Sequence, residues 1–467
     1  MNVLFIATRA PYGKMHGHKM GIRTYISALK GLGHQVVLAA FEVPGDGFEV
    51  EDLGIPNYYL PLPARSRVAW NLLRFALGGR KSLNECLYHE PRLIPWIRDI
   101  CTFHSIDFVV ADMIRTAPYA EAAGVPWMLD HEDLLSERYR MWASRSSGDE
   151  NILGYLSGYV PSVLQPASRW VFRATLSREA RVLERRETYW ADRAPVNSLV
   201  SHDETARLQA RSRQRVFCMP VTVPVPPAAA SDLARRPMSA VFTGGLTYQP
   251  NLDALRAYVG KVLPAFARLG VVPPVLSVIG AAPVELRIGL DHPSIRLLGY
   301  VPDLNEELLR HQVFFAPVVS GTGIKTKVLE GLACGLPLVA LPAAVSGLSG
   351  QHGRDYLIAE DAEEFVRHYA RLQADPHLAQ ELGQAGRTLV IRCYSIEAAT
   401  EILGCELAAM FSTAGWLTEN RARGLTDGPS GMGSRPYSEK IARQVCVVSD
   451  PRPVAISPYA SSAKLRG

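Results

Sequence analysis

One stretch, Ser320-Gly-Thr-Gly-Ile-Lys-Thr-Lys-Val-Leu-Glu-Gly-Leu-Ala-Cys-Gly335, carries most of the information about the fold. The apolar run Val313–Pro317 before it predicts a buried strand, and the stretch itself predicts a small-residue loop that opens a helix. A helix start presents unpaired backbone N–H groups and a partial positive charge. Because Gly321, Thr322 and Gly323 leave room for close approach, we predict a phosphate site at this junction.

Three charged side chains of the same stretch indicate what binds there. Lys325 and Lys327 add positive charge to the first turn of the predicted helix, and Glu330 lies one to two turns inside it. A carboxylate at that place can accept both hydroxyls of a ribose whose diphosphate sits at the helix start. The alternative is a solvated first turn with a Lys327–Glu330 ion pair.

The alternation of strand and helix extends on both sides of this stretch. Short apolar runs predict four more strands in the second half, at Ala240–Thr243, Val275–Ile279, Ile295–Leu298 and Leu338–Leu341. Three strands run directly into glycine, at Gly244-Gly245, Gly280 and Gly299. Ligands of open parallel sheets bind at the carboxyl ends of strands, so these glycines predict close contact with a ligand. The alternative is that each glycine merely ends its strand.

The first half of the chain repeats the pattern. Its predicted strands are Val3–Ala7, Val36–Ala40, Phe108–Ala111 and Trp127–Leu129. A loop from Gly13 to Gly21 and a helix at Ile22–Leu32 connect the first two. The fold class is therefore α/β, with parallel sheets covered by helices on both faces.

Composition divides the chain further. The proline-rich residues 219–238 predict a linker between an N-terminal domain, 1–218, and a C-terminal domain, 239–392. A last helix is predicted over 393–412. Residues 413–467 are rich in Gly, Pro, Ser and Arg and predict a disordered tail.

The whole-chain composition excludes several classes of protein. A formal charge of +5 over 467 residues is too weak to indicate nucleic-acid binding. Seven cysteines without a C-x-x-C pair predict a reduced, cytoplasmic location and no zinc site. No apolar run is long enough to span a membrane. The sequence contains neither a G-x-G-x-x-G after the first strand nor a P-loop motif, which argues against a dinucleotide enzyme or a P-loop ATPase.

Four ordered segments together resemble a known family. They are Phe242–Ala254, Val278–Gly280, Leu298–Asp303 and Gly323–Val339. They resemble retaining GT-B glycosyltransferases, above all glycosyltransferase family four and its bacterial polysaccharide branch, over about Ser239 to Ile391. The first half resembles that family more loosely, at Gly17-His18, Leu32–Val36 and Pro126–Asp133.

The resemblance implies two Rossmann-like domains whose parallel sheets face each other across a cleft, with the donor on the second domain and the acceptor on the first. The implied reaction moves a sugar, such as a hexose, from a nucleotide-diphosphate donor to a glycan, lipid-linked or small-molecule acceptor, with retention. Glu330 matches the residue that holds the donor ribose, and Gly17 and His18 match the loop that meets the donor phosphates. His131 matches a histidine near the reacting centre.

No cofactor or metal is expected, because the sequence lacks the Asp-x-Asp pair of metal-dependent sugar transferases. Backbone N–H groups and lysines would instead stabilise the leaving diphosphate.

This sequence departs from the family at two places. Thr322 stands where many members carry an acidic residue, and Gly245 and Pro250-Asn251 stand where many carry Arg and Lys. We infer that Lys325 and Lys327 supply the missing charge. Two alternatives stay open, a catalytically inactive GT-B binding protein and a sugar-nucleotide epimerase of the same fold.

The segment Arg65–Lys81 places Trp70, Leu73 and Leu77 at helical spacing among five basic residues. Ordinary core packing with solvated arginines is the favoured interpretation. A basic amphipathic helix that lies on an anionic membrane is the alternative, and it would place the protein at the inner face of the membrane, where a lipid-linked acceptor is available.

Overall fold

The computed structural model describes residues 1–13, 17–43, 53–76, 78–144, 168–227, 235–287, 289–321 and 323–413. Met1–Met410 form one compact unit that contains two parallel sheets. Of the second unit, Phe411–Gly467, only residues 411–413 are described, so the predicted tail lies outside the described residues except for its first residue, Thr413, which ends a helix.

The first sheet has seven parallel strands in the order β3-β2-β1-β4-β5-β6-β7. The strands are β1 Asn2–Ala7, β2 Gln35–Phe41, β3 Asn57–Leu60, β4 Phe108–Asp112, β5 Trp127–Asp130, β6 Val196–Leu199 and β7 Arg215–Cys218. Its helices are α1 Gly17–Gly31, α2 Arg65–Asn71, α3 Leu83–Tyr88, α4 Leu93–Phe103, α5 Met113–Ala122, α6 Leu135–Ser144, α7 Ser168–Arg193 and α8 His202–Gln209, and a π-helical turn, Leu72–Ala76, continues α2. Strands β1 and β4 are buried almost throughout, as expected for central parallel strands covered on both faces.

The second sheet has six parallel strands in the order β10-β9-β8-β11-β12-β13. They are β8 Ser239–Thr243, β9 Val275–Ile279, β10 Ile295–Gly299, β11 Val313–Ala316, β12 Leu338–Ala340 and β13 Leu357–Ile358. The accompanying helices are α9 Gln249–Ala257, α10 Leu263–Leu269, α11 Leu304–Leu309, α12 Thr326–Ala333, α13 Pro342–Val345, α14 Ala362–Ala374, α15 Pro376–Tyr394 and α16 Ile396–Thr413. The α/β fold class and all nine predicted strands are confirmed.

Helix α16 lies against the first half of the chain. The side chain of Leu32 lies 2.9 Å from the place where a Cβ on Gly404 would be, and Arg215 forms an ion pair with Glu406. The predicted domain and linker boundaries stay predictions. Among the described residues, no helix is long and apolar enough to cross a bilayer.

Two predictions in the first half were wrong. Helix α1 begins at Gly17, inside the predicted loop, so His18 is helical. In the basic segment the core-packing interpretation fails for Trp70 and Leu73, whose side chains are 51% and 61% exposed. The inward face is occupied instead by Val68, Asn71 and Ala76. Leu77 lies outside the described residues.

Candidate active site

The predicted phosphate loop follows β11 and leads into α12. Gly321 and Gly323 have φ values of 128° and 67°, which favour glycine because they lie in the left-handed region. Lys325 is the N-cap of α12, one position before the helix and not on its first turn as predicted. Its Nζ donates to the carbonyls of Gly321 at 3.1 Å and Gly323 at 2.7 Å. The ammonium therefore closes the loop on itself. Thr322 lies outside the described residues.

Lys327 reaches from α12 to the neighbouring strand β8. Its Nζ lies 4.7 Å from the centre of the Phe242 ring and donates a hydrogen bond to Asn251 Oδ1. Burial lowers the pKa of both Lys325 and Lys327 to about 8. The charge of Glu204 partly opposes this shift for Lys325, and the charge of Glu330 partly opposes it for Lys327. A bound anion would raise the pKa of both amines again, because it favours their charged form.

Glu330 lies one turn after Lys327 on α12. Among the described residues, no hydrogen bond reaches its half-buried carboxylate and no ion pair joins it to Lys327. Burial raises the pKa of Glu330, and the charge of Lys327 opposes that rise. The ion-pair alternative is therefore not observed, and the carboxylate retains its capacity to accept hydrogen bonds.

The glycines after β8 and β9 allow two loops to touch. A Cβ on Gly280 would lie 2.6 Å from the carbonyl carbon of Gly244, and a Cβ on Gly244 would lie 2.5 Å from Asn251 Nδ2. That amide nitrogen donates to the Gly245 carbonyl at 2.8 Å. Asn251, one of the departures from the family pattern, thus fixes the Gly244-Gly245 loop and also binds Lys327.

A second polar cluster lies at the carboxyl ends of β1 and β4 in the first sheet. Asp112 accepts hydrogen bonds from the backbone N–H and the hydroxyl of Thr8, at 2.7 and 2.6 Å. The other carboxylate oxygen of Asp112 lies 2.8 Å from His18 Nε2, and Glu132 Oε2 lies 3.7 Å from the same nitrogen. Met113 and Glu132 have positive φ values of 63° and 62°, which are unusual for such residues. Backbone strain of this kind is concentrated at functional sites.

The charges of this cluster are coupled. Burial lowers the pKa of His18, but Asp112 and Glu132 outweigh burial and the net shift is upward, against a small opposing effect of Arg115. Burial works to raise the pKa of Asp112, but the charge and hydrogen bond of His18 outweigh it and hold the pKa below its usual value. The opposite directions of the two pKa shifts show that each group favours the charged form of the other.

His131 directly follows β5 and precedes Glu132. Its side chain is 2% exposed, and its Nε2 lies 3.2 Å from Asn197 Oδ1 on β6. Burial lowers the pKa of His131 to about 4, so the imidazole is neutral at neutral pH. Its neighbour Glu132 is more accessible and approaches His18, whereas His131 packs within the sheet. The role predicted for His131 stays a prediction.

The second half of the chain is similar to a known protein family. Residues 238–375, which include β8, α12 and the glycine loops, match a family model. They match the glycosyl transferases of group 1. A search of curated proteins gives no significant match.

Solved structures with the GT-B fold resemble the whole described chain. Sucrose-phosphate synthase from Thermosynechococcus elongatus has a TM-score of 0.58 at 17% identity, covering 88% of this chain and 99% of that one. HepE from Anabaena in complex with UDP has a TM-score of 0.60 at 13% identity, covering 88% and 100%. TarM from S. aureus has a TM-score of 0.57 at 10% identity, covering 88% and 100%. The chain therefore has the GT-B fold.

Contacts join the group 1 segment, and the predicted linker before it, to the first half of the chain. A Cβ on Gly347 would lie 3.6 Å from Cβ of Ser201, which follows β6, and 3.7 Å from Ile324 in the phosphate loop. The Thr24 hydroxyl of α1 lies 2.8 Å from that of Thr222. The Gly347 contacts place the loop before α12 beside the carboxyl end of β6.

Sequence reasoning missed Asp112 and Thr8. The available signal was an acidic residue that closes the apolar run of β4, because an aspartate at that place must find buried partners. Within the described ranges, no group of three or more His, Cys, Asp or Glu side chains could hold a metal ion. The expected independence from metal stays a prediction.

Proposed function

We propose that this protein transfers a sugar from a nucleoside-diphosphate donor held by the group 1 segment. The observation that carries the proposal is the arrangement at the start of α12, where two ammonium groups and an acceptor carboxylate, all at least partly buried, follow a glycine loop within six consecutive residues. The HepE structures bind UDP and UDP-glucose. We therefore propose a uridine diphosphate sugar, with a hexose as the transferred group.

In this proposal each part of the donor has its own protein partners. Glu330 accepts the ribose hydroxyls, and Lys325 and Lys327 exchange their protein acceptors for diphosphate oxygens. Gly244 and Gly245, together with Gly321 and Gly323, allow the backbone to approach the donor, and the N-terminus of α1 at Gly17 contributes N–H groups. As the sugar–oxygen bond breaks, these groups stabilise the charge on the leaving diphosphate without a metal.

At the reacting centre we assign contact with the sugar to His18 and Glu132, and a supporting position to His131. The reason is burial, since His131 is enclosed by the sheet and binds Asn197. The resemblance to retaining enzymes supports retention of the anomeric configuration. A glycan or lipid-linked acceptor would approach from the first sheet.

The test uses the purified full-length chain and a panel of nucleoside diphosphates and their sugars. UDP and one UDP-sugar should raise the melting temperature, because a ligand that binds the folded state stabilises it. The same UDP-sugar should be slowly hydrolysed without acceptor. Binding without any turnover, on all acceptors tried, would favour an inactive GT-B binding protein, a candidate supported by Gly245 and Asn251 at the departing positions. Formation of an epimer would favour the epimerase.

A further inference from the structure

The outward face of α2 and the π-helical turn after it is apolar at its centre. It comprises Ser66, Ala69, Trp70, Leu73 and Arg74, all exposed, and we call it the α2 face. Trp70 is 51% and Leu73 is 61% exposed. Exposing large apolar side chains to water costs free energy, and that cost is removed only when another surface covers them.

The rotation of this helix is fixed by its inward side. Asn71 is buried, and its Nδ2 donates to the carbonyls of Cys86 at 3.0 Å and His89 at 2.8 Å. Val68 and Ala76 are buried beside it. Turning Trp70 inward would break both hydrogen bonds of Asn71. The packing of this helix therefore keeps Trp70 exposed.

Basic side chains surround the α2 face. Arg65–Lys81 contains five basic residues and no acidic residue. Two arginines of α7 reach the end of the same segment. Arg178 Nη2 donates to the Ala76 carbonyl at 2.7 Å, and Arg185 Nη2 lies 3.4 Å from the place where a Cβ on Gly79 would be.

Among the described residues, the nearby acids neutralise only part of this charge. Glu85 is buried and paired with Arg186, and Glu179 is buried against the N–H of Leu83. Glu90 lies 3.7 Å from Arg67. The face therefore combines an exposed Trp and Leu with excess positive charge.

We propose that the α2 face docks this protein on an anionic lipid bilayer. Trp and Leu enter the boundary between headgroups and acyl chains, where tryptophan is favoured, and the arginines contact lipid phosphates. The single sign of the charge fits an anionic headgroup layer better than a mixed-charge protein surface. The docking proposal depends on the residues of the α2 face and not on the proposed transfer activity. If the proposed function also holds, docking supplies the first sheet with a lipid-linked acceptor.

The test is co-sedimentation of the full-length protein with vesicles of phosphatidylcholine, with and without phosphatidylglycerol. We expect binding to the anionic vesicles that weakens as salt increases, because salt screens the charge. W70S/L73S should weaken binding about tenfold or more, through loss of apolar burial. R74E removes one positive charge and adds a negative one, and should weaken binding by about fivefold or more. The control V284S changes a side chain that is 71% exposed on the second half and should bind normally.

Three results would overturn the proposal. They are equal binding to both kinds of vesicle, unchanged binding of W70S/L73S, or a wild-type dimer that W70S/L73S makes monomeric while vesicles bind neither form. Each variant is first checked for a normal melting temperature and for UDP binding. A variant that loses vesicle binding and keeps UDP binding supports docking independently of the proposed transfer. Loss of UDP binding by the wild type would instead count against the proposed function.

Discussion

Replacing Glu330 with alanine tests whether the donor binds at α12 or elsewhere on the molecule. The carboxylate is assigned two ribose hydroxyls, and each charge-assisted hydrogen bond contributes ~1.5–3 kcal/mol. Their loss should reduce transfer efficiency by roughly 10²- to 10⁴-fold. E330Q keeps an acceptor oxygen without the charge and should fall between alanine and wild type.

The structure also predicts what this substitution leaves intact. Within the described residues no hydrogen bond reaches the Glu330 carboxylate, and burial raises its pKa. A carboxyl whose folded pKa is raised costs stability where it is ionised, so E330A should melt at the wild-type temperature or slightly above it at neutral pH. A low melting temperature would therefore mark a misfolded variant rather than a lost ligand.

The assay is UDP titration by calorimetry, followed by turnover of the UDP-sugar. E381A, at an exposed position of α15, is the matched control and should behave as wild type. A correctly folded E330A that binds UDP with wild-type affinity and turns over the donor normally would refute the assignment. The donor site would then lie elsewhere.

Further predictions concern charge. K325A and K327A should weaken UDP by about tenfold or more while uridine binding changes little, because a charge-assisted bond to phosphate is lost; equal losses for both ligands in calorimetry would contradict this. Since the pKa of each lysine is about 8, UDP affinity should fall as the pH rises above about 8, and an affinity that is flat to pH 10 would argue against ammonium contacts. Asp112 has a lowered pKa, so its stabilisation is present above the unfolded pKa and is lost as the pH falls through the folded one. D112N should lower the free energy of unfolding, measured with urea at neutral pH, by about 3 kcal/mol, and should make that free energy less dependent on pH in acid. A D112N variant as stable as the wild type would show that the pairing with His18 contributes nothing. Transfer should survive a chelator, and activity that is abolished and then restored by manganese would show a metal requirement.

Much of the fold could be predicted from periodicity. Apolar runs such as those of β1 and β11 are buried on both faces, so their residue types alone indicate strands. Strand β6 was missed because Asn197 and Ser198 occupy its centre. Both are fully buried, and Asn197 Nδ2 donates to the Ala191 carbonyl at 2.9 Å. A polar residue enters a buried strand only when distant partners satisfy it, and a local pattern does not show those partners.

The sequence by itself determined the elements of the proposed donor site, because its parts are local. A strand, a glycine loop and a helix start follow each other within one short stretch, and Lys327 and Glu330 are placed by helical spacing. Only the tertiary structure decided which groups of the first sheet meet. His18 and Asp112 are 94 positions apart and join because β1 and β4 are neighbours in the sheet. The exposure of Trp70 was decided in the same way, by the bonds of Asn71 to residues of another segment. Periodicity identifies the apolar face of a helix, but only packing decides whether that face is covered.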